Sequence, residues 1–501
     1  MNVASLFHAA ECRCPTALAL RWDGGTMSYA ELGDASRRFA SVLATLGVRA
    51  DERVAILLPN HPAFAAALLG TFWHGSAAAV LSATWQTADT DRALAHADAR
   101  VLVTTRAVAG TLASCPQAVL LVDADDDARS FRRACARQPA GLTGSPAPRA
   151  ATDPATILYS SGTTSDPKGV VLSHGNLVFN AESKVRYCAI RPDDALALVV
   201  PLSHCFGQNV VLLGALAAGA SVRIYERFHV DQVHAGIRAG EVTHLYATPL
   251  VFQRLLDSGA PDSLRTLRLA LTAAAPLPPI LAAQWRAATA QPLHQGYGLT
   301  ESSPFATFDD GTDGIAACVG SAIDGVEIRV GEIGGDAWLG EGELGEVAIR
   351  GPNVMTGYWR RPAETARALR GGWLRTGDLG RLSANSALYL ADRLDDAINV
   401  AGFKVYPSDV ERGIGSHASV ADVVAYRVAG DSRGSKVAVD VVPATGATIT
   451  PEDVHALATT SLARFQRPSF VRIVSGVPCS PSGKVLRRVL TASFQLPPTA
   501  T

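Results

Sequence analysis

Apolar residues along this chain come in short unbroken runs separated by stretches with helical spacing. Val54–Leu58, Ala77–Leu81 and Val101–Thr104 are such runs, and between them Ala63–Trp73 and Asp91–Ala97 place apolar residues on one helical face. A second series follows. Ala195–Val200, Ser221–Tyr225 and His244–Ala247 read as strands, with helices expected over Gly207–Ala217 and near Val233. A continuous apolar run suits a strand covered on both faces, and strands that alternate with helices of roughly ten residues build βαβ units and mostly parallel sheets. Two series predict two sheets.

The pattern changes further along. Gln138–Pro154 is rich in Pro, Gly, Ala and Ser and reads as a surface connection. From Val319 to Gly351 the runs Val326–Val330 and Glu346–Arg350 read as antiparallel strands of a small β-subdomain. Beyond Arg393, Ser408–Ile414 and Val454–Leu462 read as helices, and Val420–Val428 and Lys436–Val442 as strands. The expected architecture is α/β. A large N-terminal domain, 1–393, holds two mostly parallel α/β sheets and the β-subdomain, and a small α+β domain, 394–501, follows.

Composition narrows the class. With 501 residues, 48% hydrophobic and 18% charged, the chain supports a large core and is not a disordered protein. A formal net charge of −1 argues against nucleic acid or an anionic membrane surface as partner. The 8 cysteines form no CxxC pair and the 12 histidines no HExxH, so neither a disulfide framework nor a zinc site is expected. Met1–Arg13 lacks the basic and apolar regions of a signal peptide, and Val210–Val222 falls short of the roughly 20 residues that span a bilayer. The expected location is cytoplasmic. Lysine occurs only at 168, 184, 404, 436 and 484, with arginine at every other basic position, which directs attention to Lys168, Lys404 and Lys484.

The densest chemical signal is Tyr159-Ser160-Ser161-Gly162-Thr163-Thr164-Ser165-Asp166-Pro167-Lys168-Gly169. It lies between two expected strands, Thr156–Leu158 and Val170–Ser173. Small hydroxyl residues and glycine let backbone N–H groups turn toward a polyphosphate, and the lysine adds a point charge. The string is not a Walker A loop, because Pro167 precedes the lysine and Gly169 follows it.

Further motifs follow in order: Pro201-Leu202-Ser203-His204-Cys205-Phe206-Gly207, Gly296-Tyr297-Gly298-Leu299-Thr300-Glu301-Ser302, Gly342-Glu343-Leu344-Gly345-Glu346 and Arg375-Thr376-Gly377-Asp378-Leu379. Asp392-Arg393-Leu394-Asp395-Asp396, Ala401-Gly402-Phe403-Lys404-Val405-Tyr406-Pro407 and Pro481-Ser482-Gly483-Lys484-Val485-Leu486-Arg487-Arg488 complete the series. From about Tyr29 to Leu490 the chain resembles the adenylate-forming superfamily, the acyl-CoA synthetase or fatty-acyl-CoA ligase type in particular.

The resemblance implies the following roles. Ser160 to Ser165 and Lys168 would cradle phosphates. Ala274, Ala275, Pro276, Gly296, Tyr297, Gly298 and Leu299 would shape the nucleotide slot, with the Tyr297 ring on adenine. Thr300 would touch the α-phosphate and Glu301 would help hold Mg²⁺. Asp378 offers two carboxylate oxygens to the ribose hydroxyls, and Arg393 joins it. His204 would lie beside the reacting carboxylate. Phe206, Val210, Tyr246, Thr272, Ala273 and Ser302 would line the acyl pocket. Lys484 would stabilise charge as the acyl-phosphate bond forms. Asp395 would be the hinge about which the small domain swings, bringing Gly402, Phe403 and Lys404 to a pantetheine tunnel.

The implied substrates and cofactors are a carboxylic acid, ATP, Mg²⁺ and CoA. Ser203–Gly207 contains no aspartate to pair with a substrate ammonium, which favours an acyl or aryl acid over an amino acid. Three places depart from the family pattern: Ser165, where glycine is usual; Ala273-Ala274, where relatives carry glycines; and Ser82-Ala83-Thr84-Trp85. Two of them touch the ATP side. One alternative is therefore an enzyme that mainly thioesterifies a preformed acyl adenylate supplied by a separate adenylating enzyme. Others are a ligase acting on a carrier-protein phosphopantetheine and an inactive acyl-adenylate-binding protein.

Overall fold

The computed structural model describes residues 1–139, 141, 144–160, 168–311, 318–400, 403–431, 434–444, 446–479 and 485–494. The chain divides into two compact units. One comprises Met1–Ile328 and Ala348–Arg375, the other Arg329–Val347 and Thr376–Thr501.

The first unit contains both expected sheets. The seven-stranded sheet runs Gly357–Tyr358, Lys168–Ser173, Pro154–Ser160, Ala77–Val80, Arg53–Leu57, Ala99–Thr104 and Ala118–Leu121. The five strands from Pro154–Ser160 to Ala118–Leu121 are parallel. At the other edge Lys168–Ser173 returns antiparallel to Pro154–Ser160, so the phosphate-type motif connects two paired strands. Ala55, Leu57, Ala79, Leu102 and Ile157 are completely or almost completely buried at its centre, as continuous apolar runs require.

The larger sheet runs through Cys318–Ala322, Thr307–Asp309, His294–Tyr297, Leu269–Thr272, His244–Ala247, Ala195–Leu198, Ser221–Ile224, Leu18–Trp22 and Gly25–Ser28. Its centre is parallel, and one face packs on a core anchored by Phe252 and Trp285, whose rings meet edge to face at 5.1 Å.

One expected helix differs in kind. Phe206–Leu213 is a π-helix and only Gly214–Ala218 continues as α-helix. Gln208 and Asn209 are buried within it, and their amides donate to Thr156 Oγ1 at 3.4 Å and to the Ser303 carbonyl at 3.0 Å. Those two donations hold the wider turn, a distortion common at functional sites.

The second unit joins a ribbon, in which Trp373–Leu382 pairs antiparallel with Ala387–Arg393, to a five-stranded sheet. The long hairpin of Val420–Asp431 and Gly434–Pro443 dominates that sheet, and Pro407–Gly415 and Pro451–Ser461 are its helices. Val405, Val410, Val439 and Val454 are fully buried between them. The α+β character expected after Arg393 is therefore present. No helix among the described residues is long and apolar enough to cross a membrane.

Candidate active site

The hairpin places Lys168 opposite Ser160. Ser161, Gly162, Thr163, Thr164 and Ser165 lie outside the described residues, as do Gly402 and Lys484, and of Ser160 the backbone alone is described. Lys168 itself stands at the hairpin's end with its Nζ 5.5 Å from the centre of the Tyr358 ring. Tyr358 pairs with Val170 on the hairpin's outer edge, and its hydroxyl donates to Glu301 Oε1 at 2.9 Å. The Met355 N–H also binds the Glu301 carbonyl, at 2.8 Å. A lysine that terminates the phosphate-type loop and a carboxylate suited to Mg²⁺ are thus linked through one tyrosine. Sequence reasoning missed Tyr358, because a two-residue strand carries no periodicity. Its only signal was the adjacent aromatic pair Tyr358-Trp359.

Glu301 sits in the short 3₁₀ turn Thr300–Ser302, at the end of the strand His294–Tyr297. The approach to that turn depends on glycine. A Cβ at Gly298 would lie 1.5 Å from the Pro304 carbonyl oxygen, so no other residue fits. Ser302 Oγ accepts the Leu299 N–H at 3.0 Å and locks the turn. The Tyr297 N–H reaches Thr307 Oγ1 at 3.2 Å and its ring is mostly buried. Gly296 is half-buried beside it.

His204 is placed from below. Buried Asn60 donates to the Val200 and Tyr225 carbonyls at 3.1 and 3.0 Å and accepts the Leu202 N–H at 2.8 Å, clamping the segment that leads to the histidine. His204 Nδ1 accepts the Phe206 N–H at 3.2 Å, which assigns the ring proton to Nε2. Next to it, Cys205 Sγ meets Thr300 Oγ1 at 3.5 Å, so the His204 and Thr300 motifs are joined directly. Burial pushes the Cys205 thiol up to about 12, which makes it an inert packing group. A Cβ at Gly207 would fall 2.3 Å from the Pro201 carbonyl oxygen, which explains the glycine at the second position of the π-helix.

The acyl-pocket candidates Phe206, Val210, Tyr246, Thr272 and Ser302 are buried, with Ala273 half-buried. Tyr246 and Thr272 stand on neighbouring parallel strands, and the Ala273 N–H continues the ladder to the Ala247 carbonyl at 3.3 Å. Ala274 is exposed and adopts φ +69°, a left-handed conformation uncommon for a residue with a Cβ. Ala275 is half-buried and Pro276 exposed beside it.

In the second unit, Asp378 and Arg393 are cross-strand partners, with Arg393 Nε 3.3 Å from Asp378 Oδ1. Thr376 Oγ1 accepts the Asp378 N–H at 3.0 Å and donates to the Val347 carbonyl at 2.8 Å, fixing the start of that turn. Asp395 is exposed in the 3₁₀ turn Leu394–Asp396. Phe403 is exposed and stacks on Phe465 at 4.8 Å, and Lys404 beside it is also exposed.

Arg487 falls in the closing motif, which by itself assigns it no role. It ties Asp396, at 3.5 Å, to Glu411, at 2.7 Å, and donates to the Ala425 carbonyl at 3.1 Å. It therefore links the turn that holds Asp395 to the segment just beyond Lys484.

The chain is similar to known proteins over nearly its whole length. A family model described as AMP-binding enzyme matches residues 6–359, and one described as AMP-binding enzyme C-terminal domain matches residues 409–484. Feruloyl-CoA synthase from an Amycolatopsis species is 32% identical over 496 residues, covering 96% of this chain and 96% of the relative. A 4-coumarate–CoA ligase from Vanilla planifolia is 29% identical over 486 residues, covering 93% and 88%. Among solved structures, ATP-bound MatB from Rhodopseudomonas palustris matches with a TM-score of 0.91 at 30% identity, covering 98% and 99%. The o-succinylbenzoate CoA synthetase from Bacillus subtilis, in complex with its acyl-adenylate intermediate, matches with a TM-score of 0.85 at 26% identity over 98% of each chain.

Proposed function

This chain belongs to the AMP-binding enzyme family and is an acid–thiol ligase, and on that basis we propose that it activates a hydrophobic carboxylic acid as its adenylate and passes the acyl group to CoA. The carrying observation is the line Lys168–Tyr358–Glu301, which joins the end of the phosphate-type hairpin to a carboxylate one residue from Thr300. Glu301 commits Oε1 to Tyr358, and its Oε2 takes no hydrogen bond among the described residues, as suits a carboxylate that offers one oxygen to a hard cation. Mg²⁺ bound there would neutralise phosphate charge.

The chain's own residues carry the remaining work. Lys168 orients the β- and γ-phosphates, Thr300 donates toward the α-phosphate, and His204 holds the acid's carboxylate through its Nε2–H. Asp378 binds the ribose hydroxyls, steadied by Arg393. The substrate carboxylate oxygen attacks the α-phosphorus, the bond to pyrophosphate breaks, and Lys484 stabilises the charge that develops. The small domain, 394–501, then turns about Asp395, and Phe403 and Lys404 with Gly402 guide the pantetheine thiol, which displaces AMP. The acid is an aryl or acyl acid, consistent with the aromatic acids named for several relatives.

A second reading, in which the first half-reaction is weakened, is favoured by Ala274, whose Cβ occupies a left-handed position in the proposed nucleotide slot. One experiment separates the two. Carboxylic acids are offered with MgATP and CoA, beside the matching synthetic acyl adenylates with CoA alone. Acyl-CoA from free acid supports the complete ligase. Acyl-CoA from the adenylate only supports the second reading, and acyl-CoA from neither rejects both.

A further inference from the structure

Lys184 is fully buried on the helix His174–Tyr187, yet its ammonium has no hydrogen-bond partner. Its Nζ lies 4.5 Å from the centre of the Tyr246 ring and 4.7 Å from that of Phe305. The Tyr246 hydroxyl, equally buried, is unpartnered too. The Cys188 thiol, one turn along the helix, is the polar group beside both. No carboxylate pairs with Lys184 among the described residues. The nearby Asp194 is engaged by Arg268, and its Oδ1 accepts the Thr243 hydroxyl at 3.1 Å.

Left alone, this arrangement is unfavourable. A buried cation without a counter-charge is costly, and two aromatic faces offset only part of that cost. Burial accordingly drives the lysine's pKa down. A buried hydroxyl and a buried ammonium whose polar neighbour is a thiol, a weak acceptor, are what a site looks like when the missing acceptor arrives with a ligand.

The location identifies the ligand. The helix that carries Lys184 packs against the π-helix Phe206–Leu213 and its continuation, and at Gly214 a Cβ would meet Lys184 Cγ at 3.4 Å. Tyr246 closes a second side. Phe305, three residues beyond Ser302, closes a third. These are the segments that line the acyl pocket in the proposed function, and the inference rests on that reading. His204 and Thr300 stand at the start of the π-helix and of the 3₁₀ turn, so the reacting carboxylate belongs to that end. Lys184 meets the other.

We propose that Lys184 and the Tyr246 hydroxyl read an oxygen function at the end of the acid remote from the reacting carboxylate, so that the substrate is a hydrophobic acid with an oxygen-bearing tip. The oxygen accepts from the ammonium and from the tyrosine hydroxyl, and its apolar body packs between. An acid that lacks it leaves both groups unpaired and is rejected.

The test uses the full-length enzyme with matched acids on two scaffolds. Cinnamate is compared with its 4-hydroxy and 4-carboxy derivatives, and straight-chain fatty acids with their ω-hydroxy and ω-carboxy counterparts. Acyl-CoA formation is followed with MgATP and CoA. Wild type is expected to favour an oxygen-tipped member over its deoxy partner by at least about tenfold in kcat/KM, and Lys184→Met to bring that ratio within about threefold. The hydroxy and carboxy arms distinguish a neutral tip from an anionic one, and preference for either supports the proposal. Tyr246→Phe, which removes one oxygen atom only, should lower the same ratio in part and serves if Lys184→Met does not fold. A wild-type preference for the deoxy members on both scaffolds, or a ratio unmoved by either substitution, overturns it. If no acid of the panel yields acyl-CoA while synthetic adenylates do, the adenylation reading has failed instead. That outcome is distinguished by the adenylate arm, where the two substitutions should still shift the tip ratio if the proposal holds and leave it unmoved if it does not.

Discussion

The Tyr358 hydroxyl donates to Glu301 Oε1 at 2.9 Å, so a residue on the edge of one sheet orients a carboxylate in a turn leading from the other. A hydrogen bond to a charged acceptor contributes about 1.5–3 kcal/mol. Tyr358→Phe should therefore slow acid-dependent pyrophosphate exchange by roughly ten- to a hundredfold. Release of acyl-CoA from a synthetic adenylate should stay near the wild-type rate. Equal losses in both assays would mean the tyrosine serves folding rather than Glu301.

Ala274 offers a backbone test. Its φ of +69° costs an L-residue about 1 kcal/mol, while glycine there would add about the same in unfolded-state entropy. Ala274→Gly should leave the melting temperature nearly unchanged. Ala274→Val, β-branched in the same conformation, should lower stability by about 1–2 kcal/mol. A large stabilisation by glycine would show that the strain is greater than this.

His174 makes stability depend on pH. Its Nδ1 accepts the Val3 N–H at 3.1 Å, and burial, with Arg149 adding to it, pushes the imidazole down to about 4. The unfolded chain binds a proton near 6.5 and the folded chain does not, so the unfolded state takes up more protons between these values. The contribution is complete above about 6.5 and is lost as pH falls toward 4, up to about 3 kcal/mol in total. Urea midpoints measured from pH 7 to 4 should fall, and His174→Gln should flatten that slope.

Arg487 should matter to the second unit alone. Glu411 Oε1 accepts both Arg487 Nη2 at 2.7 Å and the Ala425 N–H at 2.9 Å, and burial raises the carboxyl's pKa. Arg487→Met leaves that carboxylate short of a partner, and about 1–3 kcal/mol of local stability should be lost. Amide exchange along Val420–Asp431 should accelerate while the strands of the first unit stay protected. Acyl-CoA formation should fall as well, because the residues beyond Lys484 lose their anchor.

Much of this was legible because apolar runs have a fixed meaning. Strands such as Val54–Leu58 and His244–Ala247 appear within a residue of their expected bounds, since burial on both faces leaves no other reading. The site motifs were visible because small residues and glycines cannot be exchanged where backbones touch, as at Gly298. What escaped notice depends on distant partners. Tyr358 gains its role from Glu301, fifty-seven residues away in sequence. Lys184 looked like any helical lysine, and only the packing of Tyr246 and Phe305 around it reveals an enclosed cation. The π-helix escaped because its width is set by amide bonds to Thr156 and Ser303, not by its own spacing.

That π-helix also gives the protein a route to change. A π turn is an α-helix with one residue too many, so a single-residue deletion between Phe206 and Leu213 would restore ordinary winding and re-aim the side chains within the segment while both ends keep their place. The side chains of the proposed acyl-pocket wall would be dealt out anew, while the strands on either side kept their register. On the proposed function, substrate range would then shift by loss of one codon, a larger step than a point substitution in the same wall.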